Sequence, residues 1–182
     1  MKILVIDDNR LHLDAAVAQL SGHEVTTVQT YDEAQRLLSG PMMLGRPTKN
    51  RHNYDVVLVD LLMPASKQRM HPRSKHLAGQ EMPVGIFLAL LAAKNGAKHV
   101  ALLTDINHHF HPASACLDAF GDVVFTVERA KLLLSNDPIL VYRYHRNNLA
   151  KAFDPGDYIG KKQPRTVLAK NWRLLLRKVM QG

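Results

Sequence analysis

The sequence predicts an α/β protein built on a doubly wound parallel sheet. Two apolar runs, residues 3–7 and 56–60, are rich in β-branched residues and end in aspartate, which is typical of strands buried on both faces of a parallel sheet. A third apolar run, residues 99–104, ends in Thr104. Segments with helical spacing separate the runs, and this alternation favours parallel strands joined by right-handed crossovers.

Capping and stop signals place helices between the strands. Asn9 is suited to cap a first helix, and Thr30 with Glu33 matches a capping box that opens a second helix after the strand 24–28. The apolar segment 83–95 predicts a third helix, which begins near a proline and stops at a glycine. Residues 112–120 predict a fourth, with a proline at its first position.

The last third of the chain predicts the end of the sheet and an addition to it. Residues 123–127 predict the fifth strand, and residues 139–144 predict an added strand. The last segment, 167–181, predicts a short extended piece that enters a final helix. We therefore expect one domain over residues 1–182.

Composition excludes some classes of protein and leaves others open. The chain of 182 residues has no apolar run of membrane-spanning length, and it starts directly with a strand rather than a secretory signal. Cys116 is the only cysteine, so no internal disulfide is expected and a cytoplasmic location fits. Charge is uneven: residues 1–40 hold six acids and three bases, whereas residues 127–182 hold twelve bases and four acids. Such a basic end can attract nucleic acid or an acidic partner, although charge by itself establishes neither.

Three aspartates are expected to meet at one edge of the sheet. Asp7 and Asp8 follow the first strand, and Asp60 ends the run 56–60. Ligands of α/β sheets bind at the carboxyl ends of the strands, so these carboxylates face a crevice if the two strands are neighbours. Three carboxylates in one small site require protonation or a bound cation, and all-oxygen ligands suit Mg2+. For Asp60 alone, a solvated strand end or a helix cap explains the sequence equally well.

These residues resemble the receiver domain of response regulators in two-component signalling. In that family an acidic pair ends the first strand, as Asp7 and Asp8 do, and the phosphoacceptor aspartate ends the third strand, as Asp60 does. A Met-Pro pair follows the acceptor, as Met63-Pro64 does, and a Thr or Ser ends the fourth strand, as Thr104 does. The resemblance implies a flavodoxin-like fold with a five-stranded parallel sheet, matched over the first 127 residues.

The resemblance also implies an activity, a cofactor and partners. Asp60 would accept a phosphoryl group from a histidine kinase or a phosphotransfer protein, and the domain would catalyse its own phosphoryl transfer. Mg2+ would be held by Asp7, Asp8, Asp60 and the backbone carbonyl of Leu62. Thr104 would bind a phosphoryl oxygen, and the changed surface would contact a downstream protein partner. Whether the protein forms a homodimer is left open by the sequence.

The chain departs from the family pattern at two places. The family expects a lysine after the fifth strand, where Glu128 stands. Lys131 is close to that position but late, whereas Lys170 follows a short apolar segment and precedes the last helix, as the lysine of receivers does. The resemblance therefore favours Lys170 as the active-site lysine, with residues 128–166 as a hairpin-like insertion between the core 1–127 and the last helix. The alternative is that Lys170 only begins a basic helix. The segment 65–82 after the third strand is enlarged and basic compared with the connection in ordinary receivers.

Three alternative interpretations remain at the level of sequence. A pseudo-receiver would keep the fold and bind proteins without phosphorylation, which the displaced lysine and the remodelled 128–166 region favour. A nucleic-acid-binding protein would use the basic C-terminal third, although no binding motif supports it. His108, His109 and His111 suggest a zinc site, but the plain alternative is a polar loop that leads into a helix.

Overall fold

The computed structural model describes residues 1–40, 42–43, 46–47, 53–66, 71–159 and 162–182. The α-helices are α1 (Arg10–Gln19), α2 (Tyr31–Ser39), α3 (Gly85–Lys94), α4 (Pro112–Ala115) and α5 (Trp172–Gln181). The strands are β1 (Lys2–Ile6), β2 (Glu24–Val28), β3 (Met42–Met43), β4 (Arg46–Pro47), β5 (Val56–Asp60), β6 (Met63–Pro64), β7 (Glu81–Met82), β8 (His99–Leu103), β9 (Phe125–Val127), β10 (Ala130–Ser135), β11 (Val141–His145), β12 (Asn148–Ala152) and β13 (Thr166–Lys170).

A central sheet of six strands confirms the predicted α/β class. Its order is β2-β1-β5-β8-β10-β9. The first five strands in this order are parallel to their neighbours, and β9 pairs antiparallel with β10 at the edge. The sheet therefore has one strand more than the five that the sequence predicted, and it is mostly rather than wholly parallel.

Helices cover both faces of this sheet and divide the core into two layers. One face packs on α2 and α3 through alternate residues such as Leu4, Val57 and Leu102. The other face packs on α1 and α5 through the intervening residues, among them Leu58 and Leu103. These side chains are fully buried because successive residues of a strand point to opposite faces, each of which carries helices.

The fifth parallel strand is not the segment that the sequence predicted. Residues 123–127 supply only the short edge strand β9, whereas β10 pairs in parallel with β8 and completes the parallel set. Both segments are apolar, and a tight turn at Glu128, whose φ is 55°, joins them as a hairpin. The predicted insertion 128–166 is therefore wrong at its start, because its first strand belongs to the central sheet.

The part of the chain between β10 and α5 forms a second sheet, which we call the inserted sheet. It has the order β12-β11-β13 and is antiparallel throughout. Tyr144 and Ala169 of this sheet are buried in the same layer of the core as α1 and α5. The added strand predicted at 139–144 corresponds to β11, which begins after a short 3-10 helix, Pro138–Leu140.

The structure describes most of the enlarged segment after β5. Residues 67–70 lie outside the described residues, while β6 and β7 pair antiparallel and a 3-10 helix, Pro72–Leu77, lies between them.

The predicted helix 112–120 is divided into α4 and a 3-10 helix, Cys116–Phe120. Among the described residues, no helix has the length and apolarity required to cross a membrane.

Replacement of Gly85 by alanine tests the contact between α3 and β5. An added Cβ would lie 1.8 Å from the backbone oxygen of Asp60, so the helix or the strand end must move. We expect the free energy of unfolding to fall by about 1–3 kcal/mol or more, as for other overpacked sites. Urea unfolding measures this change. Gly22→Ala is the matched control, because nothing lies within 4 Å of its added Cβ, and an equal loss in both variants would contradict the steric explanation.

Candidate functional site

The alternation of side chains along three neighbouring strands gathers three carboxylates on one face. In β1, β5 and β8, the residues Val5, Leu58 and Leu103 face the layer that contains α1 and α5. Two positions further along the alternation stand Asp7, Asp60 and Asp105. Because β1 and β8 both flank β5 in parallel, the three acids meet at the carboxyl edge of the sheet.

Lys170 lies at the centre of this acidic cluster. Its Nζ donates hydrogen bonds to Oδ1 of Asp60, at 2.6 Å, and to Oδ2 of Asp7, at 2.8 Å. It also lies 3.5 Å from Oδ1 of Asp105. The Lys170 side chain has no exposed surface, so these ion pairs form in a low-dielectric interior and hold the carboxylates in place.

This lysine belongs to the inserted sheet. Lys170 ends β13, and its carbonyl accepts a hydrogen bond from the buried Gln19 side chain on α1 at 3.1 Å. The neighbouring Asn171 donates its backbone N–H to the carbonyl of Leu140 at 2.7 Å. The fifth strand of the parallel set, β10, ends in Ser135 and supplies no lysine at this edge.

The alternative lysine lies at the opposite edge of the sheet. Lys131 pairs with His99 at the beginning of β8 and β10, whereas Asp60 pairs with Leu103 at the strand ends. Its Nζ donates to the carbonyl of Gly182 at 2.8 Å. Of the two lysines considered from sequence, only Lys170 contacts the acidic cluster.

Burial and the neighbouring charges shift the pKa values of the cluster. Burial raises the pKa of the Asp60 carboxyl to about 7; Lys170 opposes this rise, and the adjacent carboxylates add to it. Burial lowers the pKa of Lys170, but the three neighbouring carboxylates raise it more, so the ammonium stays charged. Because the pKa of Asp60 is higher in the folded chain than its unfolded value of about 4, its contribution to stability falls as pH rises from about 4 to about 7.

Asp8 completes a group that fits a divalent cation. Carboxylate oxygens of Asp7, Asp8 and Asp60 all lie within 4.8 Å of one another. Burial raises the pKa of Asp8, and the charges of Asp7 and Glu81 raise it further. The single charge of Lys170 thus leaves excess negative charge, and carboxylate oxygens are the ligands that Mg2+ prefers.

The two remaining predicted residues lie at the same edge. Thr104 follows β8 and is 2% exposed; its hydroxyl oxygen accepts a hydrogen bond from the N–H of Ile106 at 3.2 Å, and its own N–H donates to the carbonyl of Ser135. Leu62 stands two residues after β5 with its side chain buried. The metal role of its carbonyl stays a prediction.

Sequence reasoning missed the residues that support the cluster from the side of α1. His12 is buried, and its Nε2 lies 3.2 Å from Oδ2 of Asp105. This hydrogen bond lowers the pKa of Asp105, and the positive charge of Lys170 lowers that pKa further. Trp172 donates its Nε1–H to the carbonyl of His12 at 2.8 Å, and its ring centroid lies 5.7 Å from Nζ of Lys170. The two-residue alternation through Leu103 to Asp105 was the signal that could have found the acid.

The three loop histidines have other partners. Nδ1 of His108 lies 3.0 Å from Asp118, and its Nε2 lies 3.0 Å from Nε2 of His109. Nδ1 of His111 accepts the N–H of Ala113 and caps α4. Among the described residues, three potential metal ligands come together in the cluster of Asp7, Asp8 and Asp60. The three histidines do not form such a group.

Lys170→Met tests the ion pairs at the centre of the cluster. Loss of the ammonium leaves Asp7 and Asp60 buried without their partner, which costs about 3–5 kcal/mol of folding free energy. We expect a smaller loss near pH 5 than near pH 8, because the unpaired carboxylates then take up protons, and urea unfolding at both pH values measures this.

The matched control is Lys98→Met. Lys98 pairs with Asp55 at 2.9 Å, but its side chain is 72% exposed, so its removal should cost less than about 1 kcal/mol. Equal losses in the two variants would contradict a buried, structurally essential pair.

Asp8→Asn tests the cation site. A cation that binds only the folded chain raises its melting temperature by mass action, so Mg2+ should stabilise the wild-type protein and not this variant. Asp14→Asn, which removes an exposed acid of α1 paired with Arg10, should keep the full response. Thermal unfolding with Mg2+, against NaCl at matched ionic strength, is the measurement. An unchanged Mg2+ response in Asp8→Asn would rule this carboxylate out as a ligand.

The candidate site consists of side chains that come together from distant parts of the chain. It combines four carboxylates with one buried lysine and a buried histidine, drawn from three strands of the central sheet, from α1 and from the inserted sheet. In comparisons with family models, curated proteins and solved structures, the chain matches none.

Proposed function

We propose that the protein is a phosphoacceptor receiver in which Asp60 takes up a phosphoryl group. One observation carries this proposal: Nζ of Lys170 bridges Asp60 and Asp7 at the carboxyl edge of the sheet, beside Asp8. This combination brings together a nucleophile, a cation for the phosphoryl oxygens and a set of metal ligands. Phosphoryl transfer needs little more than positioning and charge of this kind.

The order of the strands supports the same proposal. Numbered among themselves, the five parallel strands follow the order 2-1-3-4-5, which is that of flavodoxin-like sheets. In such sheets ligands bind outside the carboxyl ends of the strands where the order reverses, next to the first strand. Asp7 and Asp60 stand at the ends of the two strands that meet there.

The proposed chemistry assigns one task to each side chain. An oxygen of the Asp60 carboxylate attacks the phosphorus of a histidine kinase, a phosphotransfer protein or a small phosphodonor, and the bond to the donor breaks. Bound Mg2+, held by Asp7, Asp8 and Asp60, would neutralise phosphoryl charge. Lys170 and the hydroxyl of Thr104 would bind separate phosphoryl oxygens, and Thr104 would exchange its present bond with Ile106 to do so.

That exchange links phosphorylation to the surface. Ile106 opens the loop 106–111, which leads to α4, and the Ser114 hydroxyl on α4 donates to the Ile106 carbonyl at 2.7 Å. Movement of Thr104 toward the phosphoryl group would therefore release one of the bonds that hold this loop and would present a changed surface to a downstream protein partner. A cytoplasmic location is part of the proposal.

A second candidate is a pseudo-receiver that binds proteins without phosphorylation. The burial of the acceptor favours it: the Asp60 side chain is 6% exposed, and Lys170 already occupies one of its oxygens. In this function the cluster is a structural ion pair, and the fold serves as a binding module. Phosphorylation would then fail even though Mg2+ binds.

The test is transfer from acetyl phosphate in the presence of Mg2+, followed by intact mass spectrometry. We expect wild-type protein to gain the mass of one phosphoryl group and Asp60→Asn to gain none. Asp55→Asn is the matched control, because this acid directly precedes β5 at the opposite end of the strand. Beryllofluoride, a phosphoryl analogue, should change the fluorescence of Trp172, whose ring contacts Lys170, and Asp60→Asn should abolish the change.

The outcomes separate the two candidates. Labelling that persists in Asp60→Asn would show that another residue is the acceptor. Stabilisation by Mg2+ without labelling or a fluorescence response would favour the pseudo-receiver.

A further inference from the structure

The inserted sheet carries a basic surface that the acidic site does not use. Residues 141–166, which contain β11 and β12, hold six bases and two acids. Two cavities open on either side of the edge strand β12. The larger, of about 650 Å3, is lined by His145, Arg146, Asn147, Asn148, Lys151, Tyr158, Pro164 and Arg165. The smaller, of about 170 Å3, is lined by Gln19, Tyr144, Ala150, Ala152, Asn171, Arg173, Leu174 and Arg177. We refer to the two cavities together as the basic groove.

The charge of the basic groove is poorly compensated. No carboxylate is among the described residues that line either cavity, which together contain five Arg or Lys side chains. Lys151 has an acid nearby, Asp157, at 3.4 Å and half exposed. The other two basic residues of the larger cavity are neighbours in the inserted sheet, because the N–H of Arg146 donates to the carbonyl of Arg165 at 3.0 Å. The groove therefore presents a field that attracts anions.

Aromatic rings lie in and beside the larger cavity of the basic groove. His145 and Tyr158 line the larger cavity, with ring centroids 5.7 Å apart. Phe153 stacks on Tyr158 at 5.5 Å with an interplanar angle of 15°, and it also meets His145 edge-on at 5.7 Å. Each ring is supported by another, so the cavity offers a prepared platform on which flat groups can stack.

The shape of the basic groove favours an extended anion over a small one. The cavities lie on both sides of β12, where Ala150 and Ala152 leave space at the smaller one and Lys151 faces the larger. A single phosphate or carboxylate would contact the bases of one cavity only. A chain with regularly spaced charges would cross β12 and use the bases of both, including Arg173 and Arg177 of α5.

We propose that the basic groove binds single-stranded nucleic acid, with phosphates on the arginines and lysine and a base stacked at Tyr158. Basic side chains interleaved with aromatic rings are the recognition chemistry of single strands, since each base offers a face for stacking, and the rings of His145, Phe153 and Tyr158 are partly exposed. An acidic peptide matches the charge of the groove but gives its rings nothing to stack on. This activity goes beyond the proposed phosphorylation and does not require it.

The experiment is fluorescence anisotropy with a labelled oligothymidylate of about 16 nucleotides, without Mg2+ and without a phosphodonor. We expect saturable binding that weakens with salt, because each phosphate contact contributes a slope of about −0.7 in log affinity against log salt concentration. Arg146→Ala/Arg165→Ala should lower the affinity about tenfold and flatten the slope. Tyr158→Ala should lower it by a similar factor, whereas Tyr158→Phe keeps the ring and the affinity.

Arg36→Ala/Lys94→Ala is the matched control, since it removes the same charge from exposed positions on α2 and α3. It should change the affinity less than about twofold. Circular dichroism checks that each variant is folded.

Three results would overturn the proposal. Undetectable binding of the oligonucleotide by folded wild-type protein is the first, and equal weakening in the groove variant and the control variant is the second. The third is a polyglutamate peptide that binds as tightly as the oligonucleotide, which would assign the groove to an acidic protein. None of these results bears on Asp60, so failure here and failure of phosphorylation are distinguishable.

Discussion

The buried ammonium of Lys170 is the constraint on which the rest of the site depends. Without it, Asp7 and Asp60 would lie together in the interior, beside the partly exposed Asp105, with no fixed positive charge between them. A fully buried lysine is stable only when carboxylates compensate it, and buried carboxylates are stable only when a cation does. The central sheet and the inserted sheet therefore stabilise each other through opposite charges, in addition to the apolar layer in which Tyr144 and Ala169 are buried.

The parts of the fold that could be predicted are those set by local pattern. The strands β1, β5 and β8 contain continuous apolar runs that a polar residue ends or directly follows, and that pattern follows directly from burial on both faces. β10 was assigned wrongly because two apolar runs stand side by side in the chain. Only contact with β8 decides which of them joins the parallel set, and the sequence does not contain that contact in any local form.

The candidate site likewise contains residues that local pattern predicts and residues that it does not. Asp7, Asp8 and Asp60 could be found because each follows or ends a predicted strand, whereas Lys170 was favoured chiefly through the resemblance to receivers. His12 was unpredictable, since its ring enters the site through the packing of α1 against α5 and the inserted sheet. Its Nδ1 is buried without a hydrogen-bond partner among the described residues, and its contact with Asp105 through Nε2 is what places it in the site.

The separation of the paired residues along the chain has a consequence for how the protein folds. The bond between Lys170 and Asp7 joins positions 163 residues apart, and that between Lys170 and Asp60 joins positions 110 apart. Contacts that close such long loops form late, because the entropy of closure must be offset by structure already in place. A chain in which only the central sheet has formed would hold acids without their lysine, so the finished charge arrangement distinguishes a fully folded molecule from an intermediate.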